Sequence, residues 1–374
     1  MKTLSLLIKP ASGLCNLRCK YCFYHDLEQY GAGNFGLMSR ETADCLIHRA
    51  TEETENQIQF NFQGGEPTLA GLDFFRHFVE ETEKCRKAGQ SVSWGIQTNG
   101  IVIDEEWAEF LKENRFLVGL SMDGPKQYHD SLRLDPAGKG TYSRIERTWK
   151  LLQKAGVDTN ILTVVSRSTA RHASQVYSHL KRLGADYLQF IACLDPLDKE
   201  RGAEDHSLSP ERYGQFLCEL FDCWFRDMTA GKYVSIRQFD DWVHNLAGMQ
   251  VSTCMSTGHC GAYLVIEADG SAYPCDFYVT EERKLGMIQD RTLEELQQCG
   301  EPFLRESIPL PEVCRNCTYI TACRGGCRRD RIFHDGLPES NYFCEAYSML
   351  FSHAWGKLKA IAQRERQAAI MGLK

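Results

Sequence analysis

Through the first half of the chain, short runs of β-branched, aliphatic and aromatic residues alternate with longer stretches whose apolar positions recur every three to four residues. That alternation predicts repeated β-α units around a parallel sheet. Six strands are expected, near residues 4–9, 58–63, 92–97, 116–121, 159–165 and 187–191, with helical periodicity in each gap. Ser39 is placed to cap a helix running towards Thr54, and Asp104 to cap one whose first turn carries Glu105 and Glu106, where the helix dipole favours acid. Beyond Cys193 come a loop with Asp195 and Pro196, a charged stretch from Asp198 to Asp205, and a predicted helix from about Ser209 to Thr229 that bridges two halves. From Cys254 the pattern changes. Residues 263–267, a turn at Asp269 and Gly270, and residues 272–275 predict a β-hairpin, followed by short cysteine-rich segments. A final amphipathic stretch from Tyr342 to about Ile370 predicts a helix packed on the body.

A chain of 374 residues with 43% hydrophobic content can bury a large core, and its length suits roughly two domains. The net charge of -7, with no sustained Lys/Arg excess, argues against a nucleic-acid partner. The apolar run Leu4, Leu6, Leu7, Ile8 stops at Lys9 and Pro10, too short for a signal-peptide core or a membrane span, so a cytoplasmic location without membrane contact is expected. In a reducing compartment, 17 cysteines are more plausible as metal ligands or catalytic groups than as disulfides.

Cys15, Cys19 and Cys22 follow the first strand as C-x3-C-x2-C, at the strand end where a β/α barrel carries its function. Three thiolates suit an iron-sulfur cubane with one iron left open, while a zinc site completed by His25 is the other reading of the spacing. Strand two ends in Gln63, Gly64, Gly65, Glu66 and Pro67, where glycine permits close backbone approach and Glu66 offers an acceptor for an ammonium group. Strand three ends in Gln97, Thr98, Asn99 and Gly100, strand four in Ser121, Met122, Asp123 and Gly124, and Arg133 follows a short loop later. Polar, glycine-bearing segments thus gather at one end of consecutive strands. Together with Tyr21, Phe23 and Tyr24 around the last cysteine, they resemble the radical S-adenosylmethionine (SAM) superfamily. The resemblance implies that Cys15, Cys19 and Cys22 hold a 4Fe-4S cluster whose open iron binds SAM. It also implies that Tyr21, Gly65 and Glu66 meet the cofactor, that Ser121 and Arg133 hold its carboxylate, and that Leu194 packs near the adenine.

A second constellation comprises Cys254, Cys260 and Cys275, then Cys314, Cys317, Cys323 and Cys327 as C-x2-C-x5-C-x3-C, and finally Cys344. Eight thiols suit two four-thiolate clusters, or a pair of structural zinc sites. The arrangement resembles the SPASM extension of radical SAM peptide-modifying enzymes. That resemblance implies one auxiliary 4Fe-4S cluster on Cys254, Cys260, Cys275 and Cys327 and a second on Cys314, Cys317, Cys323 and Cys344. Arg324, Arg328, Arg329 and Arg331 crowd the last ligands, either to offset their charge or as solvated surface. Cys45, Cys85, Cys193, Cys218, Cys223 and Cys299 receive no role.

The stretches KPASGLCNLRCKYCFY, FQGGEPTLAG, QTNG, VGLSMDGP, LQFIACLDP and DGSAYPCDFY narrow the resemblance to the anaerobic sulfatase-maturating enzymes, which convert a sulfatase cysteine or serine to Cα-formylglycine. The fold this implies is α/β: a partial (β/α)6 barrel of the TIM type with its bridging helix over residues 1–233, a C-terminal SPASM domain over 234–346 holding two clusters, and a terminal helix over 347–374. SAM would cleave to methionine and a 5′-deoxyadenosyl radical that takes a Cβ hydrogen. Asp276 would act as base on the thiol or hydroxyl, and the second electron would leave through the auxiliary clusters. Tyr24 and Gln63 are expected to grip the substrate peptide. Implied partners are a sulfatase segment bearing C-x-P-x-R or S-x-P-x-R and an electron donor such as flavodoxin or ferredoxin. The rival readings are a SPASM enzyme that crosslinks a ribosomal peptide, and a non-catalytic iron-sulfur electron carrier. The start of strand one almost at Met1 speaks against the first, and the polar strand ends speak against the second.

Overall fold

The computed structural model describes residues 1–24, 35–197 and 199–371; His25 and Asp198 lie outside the described residues. In chain order the strands are β1 Thr3–Ile8, β2 Gln57–Phe62, β3 Ser91–Thr98, β4 Leu117–Ser121, β5 Thr159–Val165, β6 Tyr187–Ala192, β7 Ser235–Ile236, β8 Leu264–Ile266, β9 Ser271–Tyr273, β10 Gly286–Met287, β11 Arg331–His334 and β12 Leu337–Asn341. Apart from single turns, the helices are α1 Arg40–Glu53, α2 Leu72–Cys85, α3 Glu105–Glu113, α4 Lys126–Leu132, α5 Tyr142–Ala155, α6 Ala173–Arg182, α7 Pro210–Thr229, α8 Arg237–Ala247, α9 Leu293–Glu306 and α10 Cys344–Ile370. The six β-α repeats read from the pattern are all present, and the expected caps form. Ser39 accepts from the Thr42 amide at the head of α1, and Asp104 from the Trp107 amide at the head of α3.

The chain divides into two compact units, the first made of Met1–Met122, His129–Ile161 and Ala262–Pro302. Its strands β1, β2, β3 and β4 pair in parallel, and the register aligns apolar residues into rows: Leu6 with Phe60 with Trp94, and Ile8 with Phe62 with Ile96. These rows join Leu46 and Ile47 of α1, Phe75 and Phe78 of α2, and Trp107 and Leu111 of α3 in one core. Phe60, Trp94 and Phe116 stack within it, with ring centroids 5.2 and 5.6 Å apart. Because strand side chains alternate faces, the residues between these rows, including Gln59, Asn61 and Gln97, point to the opposite face.

The hairpin expected from Tyr263 onward forms as β8 and β9, antiparallel and shorter than predicted. Its larger consequence is that β8 also pairs in parallel with β1, Leu6 opposite Leu264 and Ile8 opposite Ile266. The hairpin turn that carries Glu267 is therefore set beside the end of β1 where the cysteine loop begins, and β9 runs back from it to Cys275 and Asp276.

The second unit comprises Asp123–Tyr128, Leu162–Gly261 and Phe303–Lys374. Here β6 pairs in parallel with β7, and α10 packs along α7 and α8 through Tyr213, Trp242, Phe343 and Phe351. Gly214 lets the helices close up, since a Cβ there would stand 2.8 Å from Met349 Sδ and 3.1 Å from Ala346 Cα. The segment after α9 holds only single helical turns and the β11–β12 hairpin, whose strands pair antiparallel.

Candidate active site

The cysteine loop is held on two sides. The Arg18 amide donates to Leu134 O at 2.7 Å and the Lys20 amide to Leu132 O at 3.0 Å, tying the loop to the segment that carries Arg133. On the other side the Gly65 amide donates to Ser12 O at 2.7 Å and the Glu66 amide to Leu14 O at 2.8 Å. Gly65 is obligatory there, because a Cβ would stand 2.2 Å from Leu14 O. Both Glu66 oxygens are occupied: Oε1 accepts from the Thr68 amide and hydroxyl and from Thr98 Oγ1, and Oε2 accepts from the Asn99 amide at 2.7 Å. Burial pushes this carboxyl up, and the hydrogen bonds from Thr68, Asn99 and Thr98 oppose the shift. Asn99 extends the linkage, its Nδ2 donating to Asn16 Oδ1 at 2.7 Å and lying 3.7 Å from Cys15 Sγ. The Arg133 guanidinium lies 5.4 Å from the Tyr21 ring centroid, and Ser121, buried, ends β4. Thus Tyr21, Gly65, Glu66, Ser121 and Arg133 share the first unit with Cys15, Cys19 and Cys22, while Leu194 lies past β6 in the second.

Asp276 begins a single turn after Cys275 and is 3% exposed. Its Oδ2 accepts from the Tyr24 hydroxyl at 2.6 Å and from Gln63 Nε2 at 3.1 Å, and Gln63 Nε2 also donates to Tyr24 Oη at 2.9 Å. Three residues proposed from separate segments thus form one hydrogen-bonded triangle. Two further members escaped sequence reasoning. Lys9, 1% exposed, forms an ion pair with the buried Glu267, which also accepts from Ser12 Oγ at 2.8 Å, and the Lys9 ammonium stands 3.8 Å from Asp276 Oδ1. That Oδ1 atom has no hydrogen-bond partner among the described residues. Burial pushes the Asp276 carboxyl up, and the Lys9 charge and Tyr24 hydroxyl pull it back. Tyr24, raised well above its ordinary value by burial and by the Asp276 charge, remains a neutral donor.

The second unit carries Cys254, Cys260, Cys314, Cys317, Cys323, Cys327 and Cys344, and Cys275 in the first unit lies 3.4 Å from the Tyr263 hydroxyl. Of the four arginines noted near them, Arg324 is exposed while Arg328, Arg329 and Arg331 are buried. Arg331 donates to Ser307 O, Pro309 O and Gly258 O at 2.5, 3.0 and 2.6 Å, clamping the backbone beside Cys260. Burial pushes its guanidinium below the ordinary arginine range, and the neighbouring Cys260, Cys327 and Cys314 oppose that shift.

Two family models match the chain: the radical SAM superfamily over residues 10–178, and an iron-sulfur cluster-binding domain, SPASM, over residues 258–318. A cysteine-type anaerobic sulfatase-maturating enzyme of Clostridium novyi is 44% identical over 368 residues, covering 97% of this chain and 98% of the relative. This chain belongs to the anaerobic sulfatase-maturating enzymes. A serine-type member from Bacteroides thetaiotaomicron is 33% identical across 94% of the chain and 89% of its own length. The solved structure of native anSMEcpe with bound AdoMet and Kp18Cys peptide superposes with a TM-score of 0.93 at 44% identity, covering 97% of this chain and 99% of that one. The fold of this sulfatase-maturating enzyme is accordingly the radical SAM partial barrel followed by a SPASM domain.

The donor chemistry fits iron-sulfur clusters. Burial pushes the Cys15 thiol up to about 11 and the Cys323 thiol up to about 12, and it raises those of Cys254, Cys260, Cys314 and Cys344, so a thiophilic metal is needed to draw off the protons. Backbone amides are already directed at sulfur: Leu17 at Cys15, Tyr319 at Cys317 and Arg329 at Cys327, at 3.4, 3.4 and 3.3 Å. In addition, Arg331 Nε is a buried donor with no partner among the described residues.

Proposed function

We propose that this enzyme oxidises the cysteine of a sulfatase C-x-P-x-R segment to Cα-formylglycine, with Asp276 Oδ1 as the base that takes the thiol proton. The observation that carries the reading is the division of labour within one carboxylate. Oδ2 is held by Tyr24 and Gln63, while Oδ1 is left without a hydrogen bond. A base held by one oxygen and open at the other is fixed in place yet able to accept. The Lys9 ammonium beside it favours the ionised form against burial. Tyr24 and Gln63 then do two things in this reading: they orient Asp276 and border the peptide.

Cys15, Cys19 and Cys22 would hold the 4Fe-4S cluster that, with SAM bound, supplies the chemistry for removing a Cβ hydrogen. Tyr21, Gly65, Ser121, Arg133 and Leu194 would seat SAM. Glu66 retains one lone pair on Oε2 for its ammonium, although its main work is to join the strand ends to the cysteine loop. The auxiliary clusters are assigned to Cys254, Cys260, Cys275 and Cys327, and to Cys314, Cys317, Cys323 and Cys344. That makes three clusters in all, and full thiolate ligation suits the last two to carrying electrons. This assignment keeps residues 1–233 as the SAM domain, 234–346 as the auxiliary domain and 347–374 as the terminal helix. Cysteine is favoured over serine because identity to the cysteine-type relative is 44% against 33% to the serine-type one. A cytoplasmic location with a flavodoxin or ferredoxin donor is consistent with the chemistry, and no helix among the described residues is long and apolar enough to cross a membrane.

The test is anaerobic incubation of the iron-loaded enzyme with C-x-P-x-R and S-x-P-x-R peptides, SAM and dithionite, with peptide masses and 5′-deoxyadenosine read in parallel. Aldehyde is expected chiefly from the cysteine peptide. Asp276→Asn should slow aldehyde formation by about 10²–10⁴-fold, the usual contribution of a positioned base, while still releasing 5′-deoxyadenosine. Aldehyde at the wild-type rate from that variant would remove Asp276 from the mechanism, and a crosslinked peptide product would replace the proposed reaction.

A further inference from the structure

Cys85, to which the sequence assigns no role, ends α2 beside α1. His48 Nε2 from α1, a Glu81 carboxylate oxygen and Cys85 Sγ from α2 all lie within 4.8 Å of one another. Glu81 Oε1 is the shared corner, 3.4 Å from His48 Nε2 and 3.4 Å from Cys85 Sγ. Donors placed tetrahedrally around zinc at its usual ligand distances of about 2.0–2.3 Å stand about 3.3–3.8 Å apart, so both separations already match the edges of such a tetrahedron. The donor types agree as well: one imidazole nitrogen, one carboxylate oxygen and one thiol form a borderline-soft set with a fourth corner open to water.

The helical spacing explains how two helices present this set. Glu81 and Cys85 are one turn apart on α2, and one turn before each of the facing donors, Asp44 on α1 pairs with His77 on α2 at 2.6 Å. Polar donors at positions 44 and 48 thus face those at 77, 81 and 85 along the seam of the two helices. Lys84 Nζ meets the other Glu81 oxygen, Oε2, at 3.2 Å, and at 65% exposure it can stay there or turn to solvent without blocking Oε1. His48 lies on α1 and Glu81 and Cys85 on α2, whereas the residues assigned to SAM and Asp276 lie outside these two helices.

We propose that His48, Glu81 and Cys85 bind a divalent cation of the zinc type, which clips α1 to α2. The ion would be structural, adding one cross-link between two helices that otherwise meet through side-chain packing and the Asp44–His77 pair. Binding displaces one proton from the thiol and involves no change of oxidation state.

The test uses the anaerobically reconstituted, iron-loaded enzyme equilibrated with zinc sulfate and desalted, with zinc and iron measured together and the zinc site read by X-ray absorption. One zinc per chain is expected, with a shell of one sulfur and the remainder nitrogen or oxygen. His48→Ala and Cys85→Ser should each weaken zinc binding by at least about tenfold, since even partners behind the ligands are worth about 10–100-fold. Their iron content and aldehyde production should be unchanged, which also establishes that they fold. Zinc should raise the thermal midpoint of the wild type and of neither variant. An all-sulfur shell, meaning zinc in a cysteine site meant for iron, or undiminished zinc in both variants, would overturn the proposal.

Discussion

Lys9 shows how one residue can change meaning between sequence and structure. A lysine before a proline at the end of a strand reads as the point where the chain meets water, yet β8 docks on β1 and closes over it, leaving it 1% exposed between Glu267 and Asp276. Removing one member of a buried ion pair leaves the other charge uncompensated, at about 3–5 kcal/mol. Lys9→Met should therefore destabilise the protein by about that amount in anaerobic denaturant unfolding, and Lys9→Met with Glu267→Met should recover much of the loss. A double variant no more stable than the single one would show that the pair is not the source. Gly65 makes a second residue-scale case. Its Cβ position overlaps Leu14 O, so Gly65→Ala must displace the loop bearing Cys15. The expected result is loss of about a third of the bound iron, the share of one cubane in three, together with loss of SAM cleavage. Full iron content and normal cleavage would show that the close approach is dispensable.

Elements governed by local periodicity were readable from the sequence, and those governed by distant pairing were not. Residues 159–165 were predicted as a strand and are β5, and the other five predicted strands agree to within a residue or so, because each is an apolar run bounded by turn residues. The parallel union of β8 with β1 joins segments some 250 residues apart and leaves no periodic trace, so the hairpin was legible while its destination was not. Helix α9 was missed because Gly300 and Pro302 sit inside it and read as breakers. The β11–β12 hairpin did carry a signal, Asp335 and Gly336, whose φ values of 49° and 78° are those of a type I′ turn. At the active site the cysteine spacing and the glycines were visible for the same local reason. The Glu66–Thr98–Asn99 linkage was not, since it depends on how strand ends meet. One element contact sets a pH dependence. Asp227 on α7 is bound by Lys181 and Tyr177 of α6; burial raises its carboxyl, but those two partners and the nearby Arg226 outweigh it and the net shift is downward. A depressed folded value means that the stabilisation is present above the unfolded value of about 3.9 and is lost as pH falls through the folded one. The stability deficit of Asp227→Asn should accordingly be largest near neutral pH and shrink in acid. A deficit that grew on acidification would contradict this coupling.

At the scale of the whole molecule, the two units are held by different means. The first unit is built on stacked aromatic residues and aligned aliphatic rows, a core that needs no metal. In the second, α7, α8 and α10 pack in the same manner, but the stretch from 303 to 343 consists of single turns and a two-stranded hairpin. Much of what it buries is polar: Arg328, Arg329, Asp330, Arg331 and Asn341. Four of the proposed ligands, Cys314, Cys317, Cys323 and Cys327, lie in this stretch. A segment with so little apolar area to remove from water depends on its metal bonds, and for such segments the free energy of metal binding is free energy of folding. The raised thiols add to this, because assembly must release protons and is disfavoured as pH falls. Iron removal should therefore act locally. After anaerobic chelation, limited trypsin digestion followed by mass spectrometry should show early cleavage between 303 and 343, with exposed Arg324, held at a φ of 55°, among the first sites. Peptides from β1 to β4 should remain protected, and restoring iron and sulfide should restore protection to the cysteine segment. Uniform cleavage along the chain would mean that the clusters support both units, and an unchanged pattern would mean that the cysteine segment folds without them.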